Sequence, residues 1–311
     1  MLPPSGTAPT ANDILMLSLV RVLVLALLAI GPTGAAPPLA DAHLHYKWSQ
    51  KDVTTPTQAV AILRGNDVAL AVVIGTPAEY ALELVRLAPT IVIPLWSPYR
   101  EPGDWSRWPY DREVLERARI ALATGKYRGI GELHLIGGFA PHWRTPVIRG
   151  LFDLAGVHDV PVLLHTEFSN AGYILQLCRA FPRVRVVWAH AGAILSPIEV
   201  AEVMEACPQL SADLSARDPW RFVNNPITDE AGNLTPEWRG LIERYPDRFM
   251  TGSDPVWPVE QLDGWNQADT GWQQYPRFID FHRRWLKALP PALAKKIRID
   301  NARAAYAGRL R

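Results

Sequence analysis

Short apolar runs rich in Val, Ile and Leu recur along the chain. They read PLADAHLH, DVALAVVIG, TIVIPLWS, YRGIGELHL, VPVLLHTE, VRVVWAHAG, QLSADLSA and RFMTGSDP. Runs apolar on successive residues suit strands covered on both faces, as in a parallel sheet. Between them, apolar positions recur at helical spacing; in the segment opened by Asp111, Val114, Leu115, Ala118 and Leu122 fall on one face. Thr76-Pro77-Ala78-Glu79 and Ser196-Pro197-Ile198-Glu199 read as capping boxes with proline at the first helical position, and Thr235-Pro236-Glu237 opens another helix. Eight strands alternating with helices over roughly 260 residues predict a (β/α)8 TIM barrel in a single domain.

The N-terminus breaks this rhythm. Residues 14–30 read ILMLSLVRVLVLALLAI and are followed by GPTGAAP, the pattern of a signal peptide with small residues at its cleavage region. The uninterrupted part, Val22 to Ile30, is too short to span a bilayer. Met1 to Asp13 holds no Lys or Arg, whereas a start at Met16 places Arg21 as the positive flank. The expected organisation is a signal peptide over 1–36, with the true start at Met16, and the barrel over 37–311. The expected location is periplasmic or secreted. An oxidising compartment would allow Cys178 and Cys207 to pair, while buried thiols are the commoner fate of cysteine. The formal net charge of +1 gives no electrostatic reason to expect a nucleic-acid partner.

Candidate chemistry lies where the apolar runs end. His43 and His45 close strand one, Glu132 and His134 strand four, His165 strand five and His190 strand six. Asp213 lies in strand seven and Asp254 closes strand eight. The C-terminal strand ends of a barrel converge on one face, and residues two apart on a strand share a side. Imidazoles and a carboxylate around one point favour a Zn²⁺-like divalent ion, with Mn²⁺, Fe²⁺ and Ni²⁺ as the other candidates. Such an ion activates water and polarises a carbonyl or phosphoryl oxygen. His142, His158 and His282 fall off this face. Asp213 is a candidate for orienting His190, and Glu167 for the rim.

These residues resemble the amidohydrolase superfamily, and within it the amidohydrolase-related branch. The likeness rests on D-A-H-L-H at strand one, the strand-five His, W-A-H-A-G at strand six, G-S-D at strand eight and the ending I-D-N-A-R-A-A-Y. It implies that His43, His45, His165 and Asp254 hold or flank one or two ions. It also implies that Asp254 orients or deprotonates the attacking water, and that His190 ligates a second ion or polarises the substrate. Gly131-Glu132-Leu133-His134 resembles in part the G-E-I-G of TatD-type nucleases. Glu132 is therefore either a bridging or second-metal ligand or a carboxylate that orients a ligand histidine.

The loop starting WSPYREPGDWSRWPYDR at Trp96 carries three Trp, two Tyr and three Arg, and the loops after strands seven and eight are similarly rich. Aromatic walls with arginines suit a flat or cyclic small molecule bearing an anionic group. Trp96, Arg100, His134 and Arg217 are the candidate substrate contacts. The expected reaction is hydrolysis of an amide, ester or lactone. A decarboxylase, a TatD-like nuclease and an inactive binding protein are the alternatives.

Overall fold

The computed structural model describes residues 36–135, 142–166, 170–221, 224–257 and 268–306. Residues 1–35 of the expected signal peptide, Glu167 and residues 258–267 of the long loop after strand eight lie outside the described residues. Among the described residues eight strands occur in chain order: β1 Leu39–Lys47, β2 Val68–Thr76, β3 Val92–Leu95, β4 Ile130–His134, β5 Val162–His165, β6 Val186–Trp188, β7 Leu210–Asp213 and β8 Phe249–Met250. One helix of nine to thirteen residues follows each. These are α1 Pro56–Gly65, α2 Glu79–Leu87, α3 Glu113–Ala123, α4 Pro146–His158, α5 Ala171–Ala180, α6 Pro197–Ala206, α7 Pro236–Arg244 and α8 Tyr275–Leu286.

Parallel pairing gives the runs β1-β2-β3 and β4-β5-β6-β7-β8. Backbone hydrogen bonds close both seams. Trp96 donates to the Gly129 carbonyl at 2.9 Å and accepts from Gly131 at 2.8 Å. At the other seam, Ala42 donates to Thr251 at 2.9 Å and Asp254 to His43 at 2.8 Å. The eight strands therefore form a ring.

Side chains from Ala40, Ala42, Val72, Ile74, Leu163 and Met250 fill the ring, and Ile299, Ala302 and Tyr306 of the C-terminal segment pack with them. A second apolar layer joins the outward strand faces to the helices. In α8 that layer takes Tyr275, Ile279 and Leu286, a stripe at helical spacing. Each such side chain contributes roughly 1.5–3 kcal/mol on burial.

Helix starts follow the sequence with one exception. Ser196 caps α6 in a reciprocal box with Glu199, and Thr235 caps α7. Thr76, by contrast, is the last residue of β2, and α2 begins at Glu79 after Ala78 without a side-chain cap. The apolar run of β2 outlasts the capping signal, so strand pairing takes Thr76. Cys178 and Cys207 form a disulfide with Cα atoms 5.9 Å apart. Consecutive β/α units bring the last turn of α5 beside the C-cap of α6.

Two one-residue irregularities position the site. Along β1, Asp41 pairs Ala71 and Leu44 pairs Val73, so β1 carries one extra residue. Ala40 and Ala42 lie inside the ring, and strict alternation would send Leu44 there too. Leu44 instead faces the helices. Along β4, Ile130 pairs Val162 and Leu133 pairs Leu164, again one residue extra. Ile130, Leu133 and Leu135 all face outward. Each bulge reverses the pleat just before a polar pair, so His43/His45 and Glu132/His134 turn inward.

Gly131 makes the second bulge possible. Its φ is +138°, and a Cβ there would lie 2.5 Å from the Leu163 carbonyl oxygen.

Candidate metal centre

Glu132 sits at the middle of the imidazole cluster and is 1% exposed. Its Oε2 lies 3.0 Å from His45 Nε2, 3.4 Å from His43 Nε2 and 3.1 Å from His134 Nε2. Its Oε1 lies 2.9 Å from His165 Nδ1 and 3.7 Å from His190 Nε2. Asp254 reaches in from the end of β8, with Oδ1 3.6 Å from His45 Nε2 and Oδ2 3.8 Å from His190 Nε2. The sequence-predicted residues His43, His45, Glu132, His134, His165, His190 and Asp254 thus come together at one end of the ring.

The surroundings fix several protons. His43 Nδ1 meets Asp213 Oδ2 at 3.1 Å, so its N–H points to that carboxylate and its Nε2 faces the cluster. His190 Nδ1 lies 3.1 Å from the Ser215 carbonyl, which can only accept. His190, unlike His43, therefore turns an unprotonated Nε2 inward. The Ser215 hydroxyl in turn donates to Asp213 Oδ1.

Burial alone would lower the His43 pKa, but Glu132 and Asp213 beside it hold it well above the ordinary histidine value. His190 is lowered, chiefly by burial and then by His43. Burial works to raise the Asp254 and Glu132 carboxyls, yet the surrounding imidazoles hold both below the usual carboxylate range.

The donor set fits a divalent cation. His43 Nε2, His45 Nε2 and Glu132 Oε2 are mutually 3.0–3.4 Å apart. Ligands about 2.1 Å from one tetrahedral ion are separated by about 3.4 Å. Asp254 Oδ1 is shut off from solvent and has no hydrogen-bond partner among the described residues. A buried anionic oxygen without a donor is costly unless a cation meets it. His43, His45 and Asp254 also meet the distance requirement for a common ion, as do Glu132, His134 and His165.

Three expected substrate contacts lie elsewhere. Arg217 is fully buried. Its guanidinium donates to the carbonyls of His190 (2.7 Å), Ala191 (2.8 Å), Leu195 (3.0 Å) and Asn225 (2.8 Å). It braces the turn after β6 and is not open to a substrate, which corrects the expectation from the loop composition. Trp96 is buried in the strand–helix layer, because the β3–β4 seam runs through its backbone. Arg100 is half exposed and bonds Asp104 through its Nε at 3.3 Å.

The sequence reading missed several contributors. Arg221 donates to the carbonyls of Asp254 (2.7 Å) and Ser253 (2.9 Å) and pairs with Asp218. His190 and Asp254 have φ of +56° and +43°, conformations that cost a non-glycine residue about 1–3 kcal/mol. The two buried arginines, on Arg217 and Arg221, hold these two strained turns. Asp41 accepts from the Ser253 hydroxyl (2.6 Å) and the Tyr275 hydroxyl (2.9 Å), tying β1 to the segment after β8 and to the start of α8. Burial raises its pKa to about 6. Tyr99 bonds His134 at 2.9 Å, and the ring of Trp105 lies 3.6 Å from that of His134, centroid to centroid. Both belong to the aromatic loop after β3, which was the one available signal.

A family model described as Amidohydrolase matches residues 26–308. Among solved structures, an amidohydrolase from Burkholderia multivorans with bound zinc aligns at 18% identity and TM-score 0.57, over 87% of this chain and 99% of that one. A dihydroxybenzoic acid decarboxylase from Polaromonas with bound manganese and 2-nitroresorcinol aligns at 13% identity and TM-score 0.53, over 86% and 96%. The 4-oxalomesaconate hydratase of Rhodopseudomonas palustris aligns at 13% and 0.53, over 86% and 95%. At these identities the likeness is one of fold. No curated protein sequence matches the chain.

Proposed function

The chain belongs to the amidohydrolase family, a metal-dependent enzyme, and from that premise we propose that it hydrolyses a C–N or C–O bond, in an amide, ester or lactone, of a small organic substrate. The observation that carries this reading is Asp254, whose buried Oδ1 lies beside His45 with no hydrogen-bond partner among the described residues. His43, His45, Glu132 and Asp254 would hold the ion, with zinc as its first candidate. When bound, the ion supplies Lewis acidity toward water and toward a substrate oxygen.

The remaining work falls to the chain. Asp254, held ionised at neutral pH, takes a proton from the attacking water and returns it to the leaving group. His190, neutral with its Nδ1–H given to Ser215, presents Nε2 as an acceptor on the substrate side. Arg221 fixes the Asp254 main chain, so that its carboxylate need not reorganise during reaction.

A decarboxylase built on the same ligands is the second reading. The Trp105 ring beside His134 favours it, because it offers a stacking face to an aromatic acid. The protein is further proposed to be exported to the periplasm or secreted. The Cys178–Cys207 disulfide supports export, since such bonds persist in oxidising compartments.

Metal analysis of protein purified without chelator tests the proposal, together with a panel of lactones, amides, aryl esters, aromatic carboxylates and single-stranded DNA. The expected result is bound transition metal and turnover of a lactone, amide or ester, both lost in a His43→Ala/His45→Ala double variant. Protein that binds no zinc, or that turns over only aromatic carboxylates or DNA, overturns the hydrolase reading.

A further inference from the structure

Glu132, His134 and His165 have the composition and spacing of a metal site. The hydrogen bonds around His134 argue against that use. The Tyr99 hydroxyl oxygen accepts the backbone N–H of His134 at 3.0 Å and lies 2.9 Å from His134 Nδ1. A tyrosine hydroxyl has one proton. With its oxygen already accepting from the backbone, that proton completes the pair by going to Nδ1. His134 then carries its own proton on Nε2, which lies 3.1 Å from Glu132 Oε2.

The opposite tautomer fails at both ends. It would leave the buried Tyr99 proton without an acceptor among these contacts, and it would set the Nε2 lone pair against a carboxylate oxygen. Each arrangement leaves a buried polar group without its hydrogen bond. Tyr99 is 2% exposed, and burial holds its hydroxyl protonated well above the ordinary range.

We infer that Tyr99 fixes His134 as an Nε2–H donor to Glu132 Oε2, so that His134 is a positioning residue for that carboxylate rather than a ligand to a second ion. The inference rests on the metal-dependent reading above and narrows it to one ion per chain. Glu132 is then held from two sides, by His165 at Oε1 and His134 at Oε2. Its orientation toward His43 and His45 is set before any cation arrives, which is how groups around a ligand raise affinity.

Nitrogen-15 long-range correlation spectra of the full chain, labelled at histidine, read the tautomer directly, and His134→Gln assigns the signal. The expected spectrum shows His134 protonated at Nε2, and titration with zinc alone is expected to saturate at one equivalent. Tyr99→Phe is expected to weaken zinc binding roughly tenfold. His134→Gln, whose amide nitrogen offers an N–H near the same place, is expected to stay within about threefold, and His134→Ala to lose tenfold or more.

A His134 ring protonated at Nδ1, or a second equivalent of zinc that disappears in His134→Gln, overturns the inference and leaves the hydrolase reading standing. Unchanged zinc affinity in Tyr99→Phe also overturns it. Protein that takes up no zinc defeats the metal-dependent reading instead, and the tautomer spectrum still decides the role of His134.

Discussion

Strands β1 and β4 solve the same problem with different chemistry. Each must turn a polar pair into a ring otherwise filled by apolar side chains, and each does so with one extra residue that reverses the pleat. On β1 the pair is two imidazoles, and Asp213 behind His43 takes the Nδ1–H of that ring, so that Nε2 faces the centre. On β4 the pair is a carboxylate and an imidazole, and Tyr99 behind His134 turns that ring into a donor. The residue behind the ring therefore decides whether a histidine binds a cation or orients a carboxylate. Composition alone would rank the two groups together.

The backbone of β4 is the more fragile of the two devices. Its bulge depends on Gly131, whereas β1 makes its bulge without a glycine between Asp41 and Leu44. Gly131→Ala places a methyl group against the Leu163 carbonyl and adopts a φ disfavoured for alanine. The expected loss is about 3 kcal/mol, read as a fall in Tm of roughly 8 °C. If β4 tolerates alanine with Tm unchanged, the bulge is not constrained by that contact and the asymmetry between the strands disappears.

This difference also marks where the sequence was legible. All eight apolar runs fall on strands, because a parallel strand buried on both faces leaves a continuous Val/Ile/Leu signature. His43 and His45 could be placed together from their spacing alone. The bulges could not be read, since an extra residue is defined only against a partner strand. Nor could the partners behind each imidazole. Asp213 follows His43 by 170 positions, and Tyr99 precedes His134 by 35. Arg217 misled for a related reason: an arginine in a loop reads as exposed until the carbonyls of a strained turn are seen to surround it. Charge and aromatic content marked the loop after β3, but only the fold assigns Tyr99 and Trp105 to His134.

Asp213 gives the next largest effect. Asp213→Asn keeps a hydrogen-bond acceptor for His43 Nδ1 but removes its charge. Zinc affinity is expected to fall 10- to 100-fold, the usual cost of losing a carboxylate behind a ligand histidine, as measured by competition with a chelator. A loss no larger than that of Tyr99→Phe would mean that the two strands use their outer partners alike.

The last effect concerns protons and separates the two imidazoles without any substitution. In the metal-free protein, burial works against the charged form of His43, but Glu132 and Asp213 outweigh it and hold the ring protonated well above the ordinary value of 6.5. His134 is neutral, with burial as the largest cause. A cation that takes His43 as a ligand must displace its proton, so binding becomes tighter as pH rises toward the raised pKa and weaker as pH falls. One displaced proton corresponds to about tenfold in affinity per pH unit. Zinc titrations at pH 6, 7 and 8 are expected to follow that slope, with matching proton release measured by calorimetry in buffers of different ionisation enthalpy. A His134 ligand would add no such slope, because its Nδ1 and Nε2 would exchange one proton within a neutral ring. Proton release near zero across this range would therefore move the ion away from His43 and toward β4, reversing the roles assigned to the two strands.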